Sequence, residues 1–181
     1  LEGYLPTGRR RNEFHDKTGA QRVVELLLKK LNDEPFATEV PLRALERIAP
    51  APPVTDLSRA KGALITTGGL VPKGNPDGLK QAFSVTYGRY PIGHLSSIPA
   101  EDYESIHGGY DTTAVNADPN RLVPLDELRR LEQEGYIGSI HPEFFTTCGI
   151  GTNVESSKAI GQGIAADLRS AEVDYALLTS T

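Results

Sequence analysis

The feature that most constrains the fold of this chain is a set of short apolar runs that each end in glycine or hydroxyl residues. Residues 62–67 lead into Gly68 and Gly69, residues 144–151 change from aromatic to threonine, cysteine and glycine, and residues 173–179 end in a threonine. Such runs are typical of buried parallel strands that enter loops at their carboxyl ends. We therefore predict strands here, with the last one also buried.

Helical patterns lie between these runs. Residues 19–32 carry apolar side chains at helical spacing behind an N-cap at Thr18, residues 124–134 begin at a proline and stop before a glycine, and residues 154–171 carry one apolar stripe. Alternating helices and short strands predict an α/β fold, a layered Rossmann-like domain with short, mostly parallel strands and flanking helices. Weaker patterns predict helical segments from Pro41, at 57–60 and at 101–107, a loop or extended piece at 112–118, and a strand at 136–140.

Length, charge and cysteine content exclude several classes of protein. The 181 residues fit one domain, and we predict a basic arm at 1–17 followed by a single domain at 18–181. No run approaches the roughly 18 apolar residues of a membrane helix. The single cysteine excludes an internal disulfide framework and a CxxC zinc site.

Charge is distributed unevenly along the chain. Residues 1–90 hold 14 basic and 10 acidic side chains, whereas residues 91–181 hold 5 and 14. The run Arg9-Arg10-Arg11 is the most basic segment, but a pI near 5.4 argues against a dedicated nucleic-acid binder. We interpret this run as a solvated terminal segment or a contact with a protein partner.

The strongest local signal for chemistry is the segment 66–77, which follows a predicted strand. Gly68 and Gly69 expose backbone N–H groups that can hold a carboxylate or phosphate, and Lys73 can add positive charge beside Asn75. The segment matches neither a P-loop nor a dinucleotide-binding fingerprint. A glycine-rich turn without a ligand explains the same residues.

A second signal is the segment 107–113. His107 precedes two glycines and lies near Asp111 and Thr112, so it is either an oriented acid–base group or anion donor, or a hydrogen-bonded turn histidine. The nearby segment 116–121 is typical of an Asx-capped turn, although Arg121 can also clamp a carboxylate.

Cys148 is the third candidate. It is a nucleophile or redox thiol if its pKa is depressed, and otherwise a small buried thiol. No spacing supports a metal site made of His107, His141 and Cys148, and we predict none. His15 and His94 are predicted to be surface or loop residues.

Four segments together resemble a known family. They are Gly-Gly-Leu-Val-Pro-Lys-Gly-Asn-Pro-Asp (68–77), Ser-Ile-His-Gly-Gly-Tyr-Asp-Thr-Thr (105–113), Asp-Pro-Asn-Arg-Leu-Val-Pro-Leu-Asp (118–126) and Leu-Thr-Ser-Thr (178–181). In this order they resemble the component B subunit of glycine, sarcosine and betaine reductases, a family that includes D-proline reductase subunits. The resemblance extends from about residue 9 to the end and does not choose among the substrates.

The resemblance implies a reductive cleavage of a C–N bond within a multi-subunit complex. A selenocysteine, or a cysteine in some relatives, takes part in the attack, and a pyruvoyl group on a partner subunit holds amine substrates. In the family the selenocysteine directly follows a Leu-Thr-Ser-Thr strand, and this sequence stops at Thr181. Thr179, Ser180 and Thr181 are then expected to present that residue, and no cofactor is expected within the chain itself.

The resemblance also implies roles for the candidate residues. We expect Gly68, Gly69, Lys73, Asn75, Asp111, Thr112 and Arg121 to bind substrate, and His107 to give a proton to the departing amine. Cys148 stands where relatives are expected to have a threonine, so it is not the redox residue. The alternative hypothesis is a non-catalytic domain that binds a small carboxylate or holds a catalytic partner.

The ends of the sequence lead to a further expectation. The chain starts at Leu1, contains no methionine and stops inside a predicted strand. We expect a segment of a longer polypeptide, a product of termination at a selenocysteine codon, or the N-terminal product of self-cleavage. Expected partners are other reductase subunits or the remainder of the same precursor, and a thiol or selenol donor protein. The absence of a signal and the need for reduced thiols favour the cytoplasm.

Overall fold

The computed structural model of the protein describes residues 4–5, 13–39 and 48–181. The chain divides into two compact units, residues 1–51 and residues 52–181. The predicted division into an arm at 1–17 and a domain at 18–181 stays a prediction. The helix predicted to begin at Pro41 falls largely outside the described residues.

The described residues of the first unit form a short antiparallel pair and a helix. Strand β1 (Tyr4–Leu5) pairs with β2 (Glu13–Phe14), and helix α1 spans Gly19–Leu31, which confirms the predicted helix. The helix begins with a capping box: the Gln21 N–H donates to Thr18 Oγ1 at 3.2 Å, and the Thr18 N–H donates to Gln21 Oε1 at 2.9 Å.

The second unit holds the sheet and three helices. Its strands are β3 (Lys61–Thr66), β4 (Leu70–Pro72), β5 (Gly88–Pro91), β6 (Tyr103–Ser105), β7 (Ser139–Ile140), β8 (Glu143–Thr146) and β9 (Tyr175–Thr179). Its helices are α2 (Thr113–Ala117), α3 (Leu125–Gln133) and α4 (Val154–Ser170), with 3-10 turns at Leu57–Arg59 and Pro119–Arg121. No helix among the described residues has the length and apolarity to cross a bilayer.

Strand β3 forms the centre of the main sheet. It pairs in parallel with β9 on one side and with β7 and β8 on the other, and β5 pairs antiparallel with β8. Strands β4 and β6 form a separate antiparallel pair. The mostly parallel sheet with flanking helices confirms the predicted α/β fold.

Alternation along β3 divides the core between the two faces of the sheet. Ala63 and Ile65 pack with Phe145 in a cluster that contains the apolar stripe of α4, whereas Leu64 belongs to the larger cluster on the opposite face. Because both faces are covered, the middle of β3 from Gly62 to Ile65 is apolar and buried, as the sequence predicts for a buried parallel strand.

Two local predictions are wrong. The segment 101–107, predicted as a helix, contains strand β6, and 112–118, predicted as a loop or extended piece, contains helix α2. Strand β6 pairs with β4 more than 30 residues earlier in the chain, so a distant partner decides its conformation. Helix α2 starts in a turn in which Asp111 accepts a hydrogen bond from the Thr113 N–H at 3.0 Å.

The prediction that the last strand is buried is also wrong. Strand β9 pairs with β3 along all five residues, but its other edge has no partner among the described residues. Leu178 is 64% exposed and Leu177 is 38% exposed. An apolar run therefore identifies the strand without showing whether it lies inside the sheet or at its edge.

Candidate functional site

Three parallel strands end at the same edge of the sheet. Thr66, near the end of β3, lies opposite Thr146 of β8 on one side and Thr179 of β9 on the other. The loops that follow β3 and β8 are glycine-rich, and Ser180 and Thr181 follow β9. α/β proteins form binding sites at the carboxyl ends of parallel strands, so we expect a binding site at this edge.

The turn after β3 is held by bonds within the protein. The Gly68 N–H donates to Thr66 Oγ1 at 3.1 Å, and the Gly69 N–H donates to the Thr147 carbonyl at 3.0 Å. Both N–H groups that were predicted to bind a carboxylate thus donate hydrogen bonds within the protein. A ligand would have to displace these bonds, so here the two glycines contribute to packing.

The loop after β6 is fixed to this turn. The Ile106 N–H donates to the Gly69 carbonyl at 3.0 Å, and the Ser105 hydroxyl donates to the Gly68 carbonyl at 2.8 Å. Ser105 Oγ also lies 2.9 Å from the Tyr110 hydroxyl. Because the serine proton is directed to Gly68, the Tyr110 hydroxyl is the donor in this second bond.

His107 lies in this loop and is 8% exposed. Its Nδ1 accepts a hydrogen bond from the Gly109 N–H at 3.1 Å, and its ring lies beside that of Tyr110, with 5.1 Å between the centroids. Burial lowers the pKa of the His107 imidazole and raises the pKa of the Tyr110 phenol. Both side chains are therefore uncharged near neutral pH.

The loops that follow β3, β6, β8 and β9 surround a solvent-accessible cavity of about 420 Å³. Backbone or side-chain atoms of the loops after β3, β6, β8 and β9 form its wall, and none of the lining residues has an acidic, lysine or arginine side chain. The lining residues are Thr67, His107, Gly109, Tyr110, Gly149, Ile150 and Thr181. The volume falls in the range of small-molecule pockets, so this cavity is the candidate functional site.

Of the predicted site residues, the structure brings His107 and Thr181 together in this cavity. Gly68 and Gly69 lie in the adjoining turn. Thr179 ends β9, where its carbonyl accepts from the Thr67 N–H at 3.0 Å, and Ser180 lies between it and the cavity residue Thr181.

The other predicted residues do not line this cavity. The side chain of Asn75 makes two bonds of 2.9 Å to the backbone of Leu79, and the Asn75 N–H donates to the Pro72 carbonyl at 3.0 Å, which closes the turn that contains Lys73. Asp111 and Thr112 lie at the start of α2, and Arg121 lies 3.6 Å from Asp118 with its side chain 65% exposed. The substrate-binding roles of these residues stay predictions.

Five of the lining residues were absent from the predicted set: Thr67, Gly109, Tyr110, Gly149 and Ile150. All except Ile150 fall within segments that the sequence singled out as chemical signals. The signal that identifies them is their position directly after a strand. The sequence predicts Lys73, Asp111 and Arg121 as charged site residues, and none of the three lines this cavity.

Cys148 is a buried thiol. Its side chain is fully buried, and burial raises the pKa of the thiol to about 11. At neutral pH almost no thiolate forms, so the structure favours the interpretation as a small packed thiol over a nucleophile.

His141 lies at the junction of β7 and β8. Its ring stacks on Phe145 with 5.9 Å between centroids, and its Nε2 lies 3.9 Å from Glu143. Within residues 4–5, 13–39 and 48–181, no three His, Cys, Asp or Glu side chains form a group that could hold a metal ion.

Comparisons with known proteins agree with the resemblance. Residues 1–181 match the family described as glycine/sarcosine/betaine reductase selenoprotein B. The chain is 47% identical over 178 residues to the glycine reductase complex component B subunit gamma of Symbiobacterium thermophilum, covering 98% of this chain and 42% of that protein.

Two further relatives come from Peptoclostridium acidaminophilum. The sarcosine reductase complex component B subunit beta is 44% identical over 181 residues, and the betaine reductase complex component B subunit beta is 41% identical over 182 residues. The matches cover 100% and 99% of this chain, and 42% of each relative. No solved structure matches the chain.

The chain thus spans about two fifths of the length of these curated relatives. The family match extends over every residue of the chain, including both glycine-rich segments and the final strand. The chain belongs to the glycine/sarcosine/betaine reductase selenoprotein B family.

Proposed function

We propose that this chain is part of a reductase-complex subunit that reductively cleaves the C–N bond of glycine, sarcosine, betaine or a D-proline-like substrate. Relatives with three of these substrates in their names match nearly the whole chain, and a D-proline reductase subunit matches over 75 residues at 39% identity. The observation that carries the proposal is that Thr181 and His107 line one cavity.

The position of Thr181 fits the redox residue that the resemblance implies. A residue following Thr181 would start from the wall of an uncharged cavity that is large enough for a small amino acid. A selenocysteine or cysteine there would supply a chalcogen nucleophile of low pKa. The resemblance implies that the pyruvoyl group belongs to a partner subunit, so no residue of this chain is assigned to it.

The residues of the chain have three tasks in this proposal. The parallel strands hold the ends of three loops in a fixed arrangement, so that a bound substrate meets a preorganised wall. The Thr67, Thr181 and His107 side chains offer polar atoms to the substrate. The Ile150 side chain and the Tyr110 ring cover apolar parts of the wall and restrict the access of water.

Replacement of a C–N bond by a C–H bond consumes two electrons, which we assign to a thiol or selenol donor protein. The chalcogen after Thr181 forms a bond to the α-carbon as the C–N bond breaks, and the nitrogen leaves with the electron pair of that bond. The donor then attacks the chalcogen, the carbon takes a proton from solvent to form the C–H bond, and a second thiol reduces the bond left between donor and chalcogen. Glycine then releases ammonia, sarcosine releases methylamine and betaine releases trimethylamine, which gives each substrate its own measurable product.

The test is amine release by the full-length subunit with its complex partners and a dithiol reductant. We expect amine release from glycine, sarcosine or betaine, or ring opening of D-proline without release of an amine, and we expect alanine in place of the residue that follows Thr181 to abolish it. The exposed His94 lies outside the cavity, so His94→Ala is the matched control and should retain activity. If the complex binds these substrates but neither releases an amine nor opens the D-proline ring, the chain is a carboxylate-binding or scaffolding domain instead.

A further inference from the structure

The ring of His107 is held in one tautomer. Its Nδ1 accepts a hydrogen bond from the Gly109 N–H at 3.1 Å, so this nitrogen carries no proton. In a neutral imidazole the proton must then reside on Nε2. The side-chain hydrogen bond that the described residues give His107 is the one at Nδ1, which leaves Nε2 without a bond, and the residue lines the cavity. His107 thus has one free N–H group available to a ligand.

The surroundings of His107 disfavour the doubly protonated, positively charged form of its imidazole ring. A proton on Nδ1 would face the Gly109 N–H and break that bond. No carboxylate of the described residues pairs with this histidine, and the titratable groups packed near it are Tyr110 and Cys148. Both are uncharged at neutral pH because burial raises their pKa values, so neither would stabilise an imidazolium ion.

The backbone that holds this tautomer has little freedom to move. The Gly108 N–H donates to the Gln81 carbonyl at 3.0 Å. A Cβ atom on Gly109 would overlap the side chain of Ile150 and would lie 3.0 Å from Cε1 of His107. The loop therefore presents the imidazole in a preorganised position, at no cost in reorganisation when a ligand binds.

The cavity also fits a ligand without net charge. Glycine, sarcosine and betaine differ in N-methylation, but each is a zwitterion with one carboxylate. A wall with no charged side chain does not favour a net anion, whereas a neutral N–H donor can bind one carboxylate oxygen of a zwitterion. A donor to the carboxylate would serve all three substrates equally, because it does not contact the nitrogen.

We infer that His107 binds the substrate carboxylate as a neutral Nε2–H donor and does not supply the proton to the departing amine. This inference rests on the proposed function for the identity of the substrate. It replaces the sequence-based expectation that His107 is the acid. The proton taken up by the amine then comes from solvent or from another group.

The first test determines the tautomer of the His107 ring directly by ¹⁵N NMR. The full-length subunit is labelled with ¹⁵N in histidine, and His107→Gln identifies the resonances of this ring. We expect an unprotonated Nδ1 and a protonated Nε2 at neutral pH. An Nδ1–H tautomer, or a ring that is protonated at neutral pH, would overturn the inference. This measurement does not depend on reductase activity, so it can fail or succeed separately from the proposed function.

The second test measures whether the Nε2 resonance of His107 responds to the carboxylate of a ligand. The labelled protein is titrated with matched pairs of small molecules. Glycine is compared with ethanolamine, sarcosine with N-methylethanolamine and betaine with choline, so that each pair differs in the carboxylate. We expect at least one carboxylate to shift the Nε2 resonance of His107, and its alcohol partner to leave it unchanged. Equal shifts from both members of a pair, or no shift from any carboxylate, would overturn the assignment.

The third test separates a donor from an acid by kinetics. His107→Ala should raise KM by about 10- to 100-fold with a smaller change in kcat, as expected for a lost hydrogen bond to a charged group. His107→Gln keeps a neutral N–H donor and should return KM to within about 5-fold of the wild-type value, with an unchanged pH profile. If the alanine and glutamine variants lose kcat equally while KM stays constant, His107 acts as the acid and the inference is wrong.

Discussion

Gly69 adopts a φ of +66° and lies so close to Cys148 that a Cβ atom on the glycine would overlap Sγ. This contact joins the turn after β3 to the loop after β8, beside the cavity. It accounts for two features at once: the turn requires glycine, and the cysteine is buried by packing. Both residues thus help to position the wall of the cavity.

Gly69→Ala is expected to destabilise the chain by about 2–4 kcal/mol, because the new side chain adopts a strained φ and overlaps Sγ. Cys148→Ala in the same chain should restore part of this loss, since it removes the overlapped atom but not the strain. Urea unfolding of the four members of this mutant cycle measures the coupling.

Gly161 provides the matched control. It lies within α4, and a Cβ atom there would have no neighbour within 4 Å. Gly161→Ala should stabilise the chain by about 0.5–1 kcal/mol through helix propensity alone. If the two glycine variants shift the unfolding midpoint equally, the proposed contact with Cys148 does not exist.

Cys148 should make the chain less stable in alkali. Burial raises its pKa from 9.0 to about 11, so the folded state holds the thiol proton more tightly than the unfolded state. That contribution is fully present below about pH 9 and is lost as the pH rises towards 11. Stability of the wild type should fall across this window more steeply than that of Cys148→Ala. A thiol that reacts with iodoacetamide in the folded protein at pH 7 would contradict this account.

Two histidines should make the chain less stable in acid. Burial lowers the pKa of both His107 and His141, and Lys61 further lowers that of His141 whereas Glu143 raises it. The unfolded state therefore takes up protons first as the pH falls below about 6.5, and stability is lost there. His107→Gln should flatten part of this dependence. An unchanged slope would show that His107 is not buried in solution.

The central strand β3 and the edge strand β9 should differ in the stability lost when a leucine is truncated to alanine. Leu64 of β3 is 1% exposed, and Leu64→Ala should cost about 2–5 kcal/mol through lost burial and a cavity. Leu178 of β9 is 64% exposed, and Leu178→Ala should cost less than about 1 kcal/mol in this chain. Comparable losses at both positions, measured by urea unfolding, would place β9 inside the core.

Elements with a regular local pattern of apolar residues are predictable from the sequence. Helix α1 combines a capping box at Thr18 with a regular apolar stripe, and the strands β3, β8 and β9 are visible as short apolar runs that end in small residues. Strand β6 was missed because its conformation depends on pairing with β4. The exposure of Leu178 was missed because side-chain type does not distinguish an edge strand from a central strand.

The candidate site was predictable in its location and less so in its composition. The rule that parallel strands deliver their loops to one edge accounts for Thr67, Gly149 and Thr181 in the cavity. His107 follows the antiparallel strand β6, and its loop reaches the cavity because the Ile106 N–H donates to the Gly69 carbonyl. The charged residues Lys73 and Arg121 were chosen because a carboxylate favours a cation. Their position depends on how far β4 and the turn at Pro119–Arg121 extend from that edge, which the sequence pattern does not determine.

The central claim is that substrate is cleaved in the cavity shared by His107 and Thr181. The most direct measurement is amine release by the full-length complex carrying Ile150→Phe, which narrows the cavity, compared with Val154→Phe, which enlarges an exposed residue outside it. We predict that Ile150→Phe lowers kcat/KM at least about 10-fold, whereas Val154→Phe stays within about 2-fold of the wild type. Equal activities of the two variants and the wild type would show that cleavage takes place elsewhere.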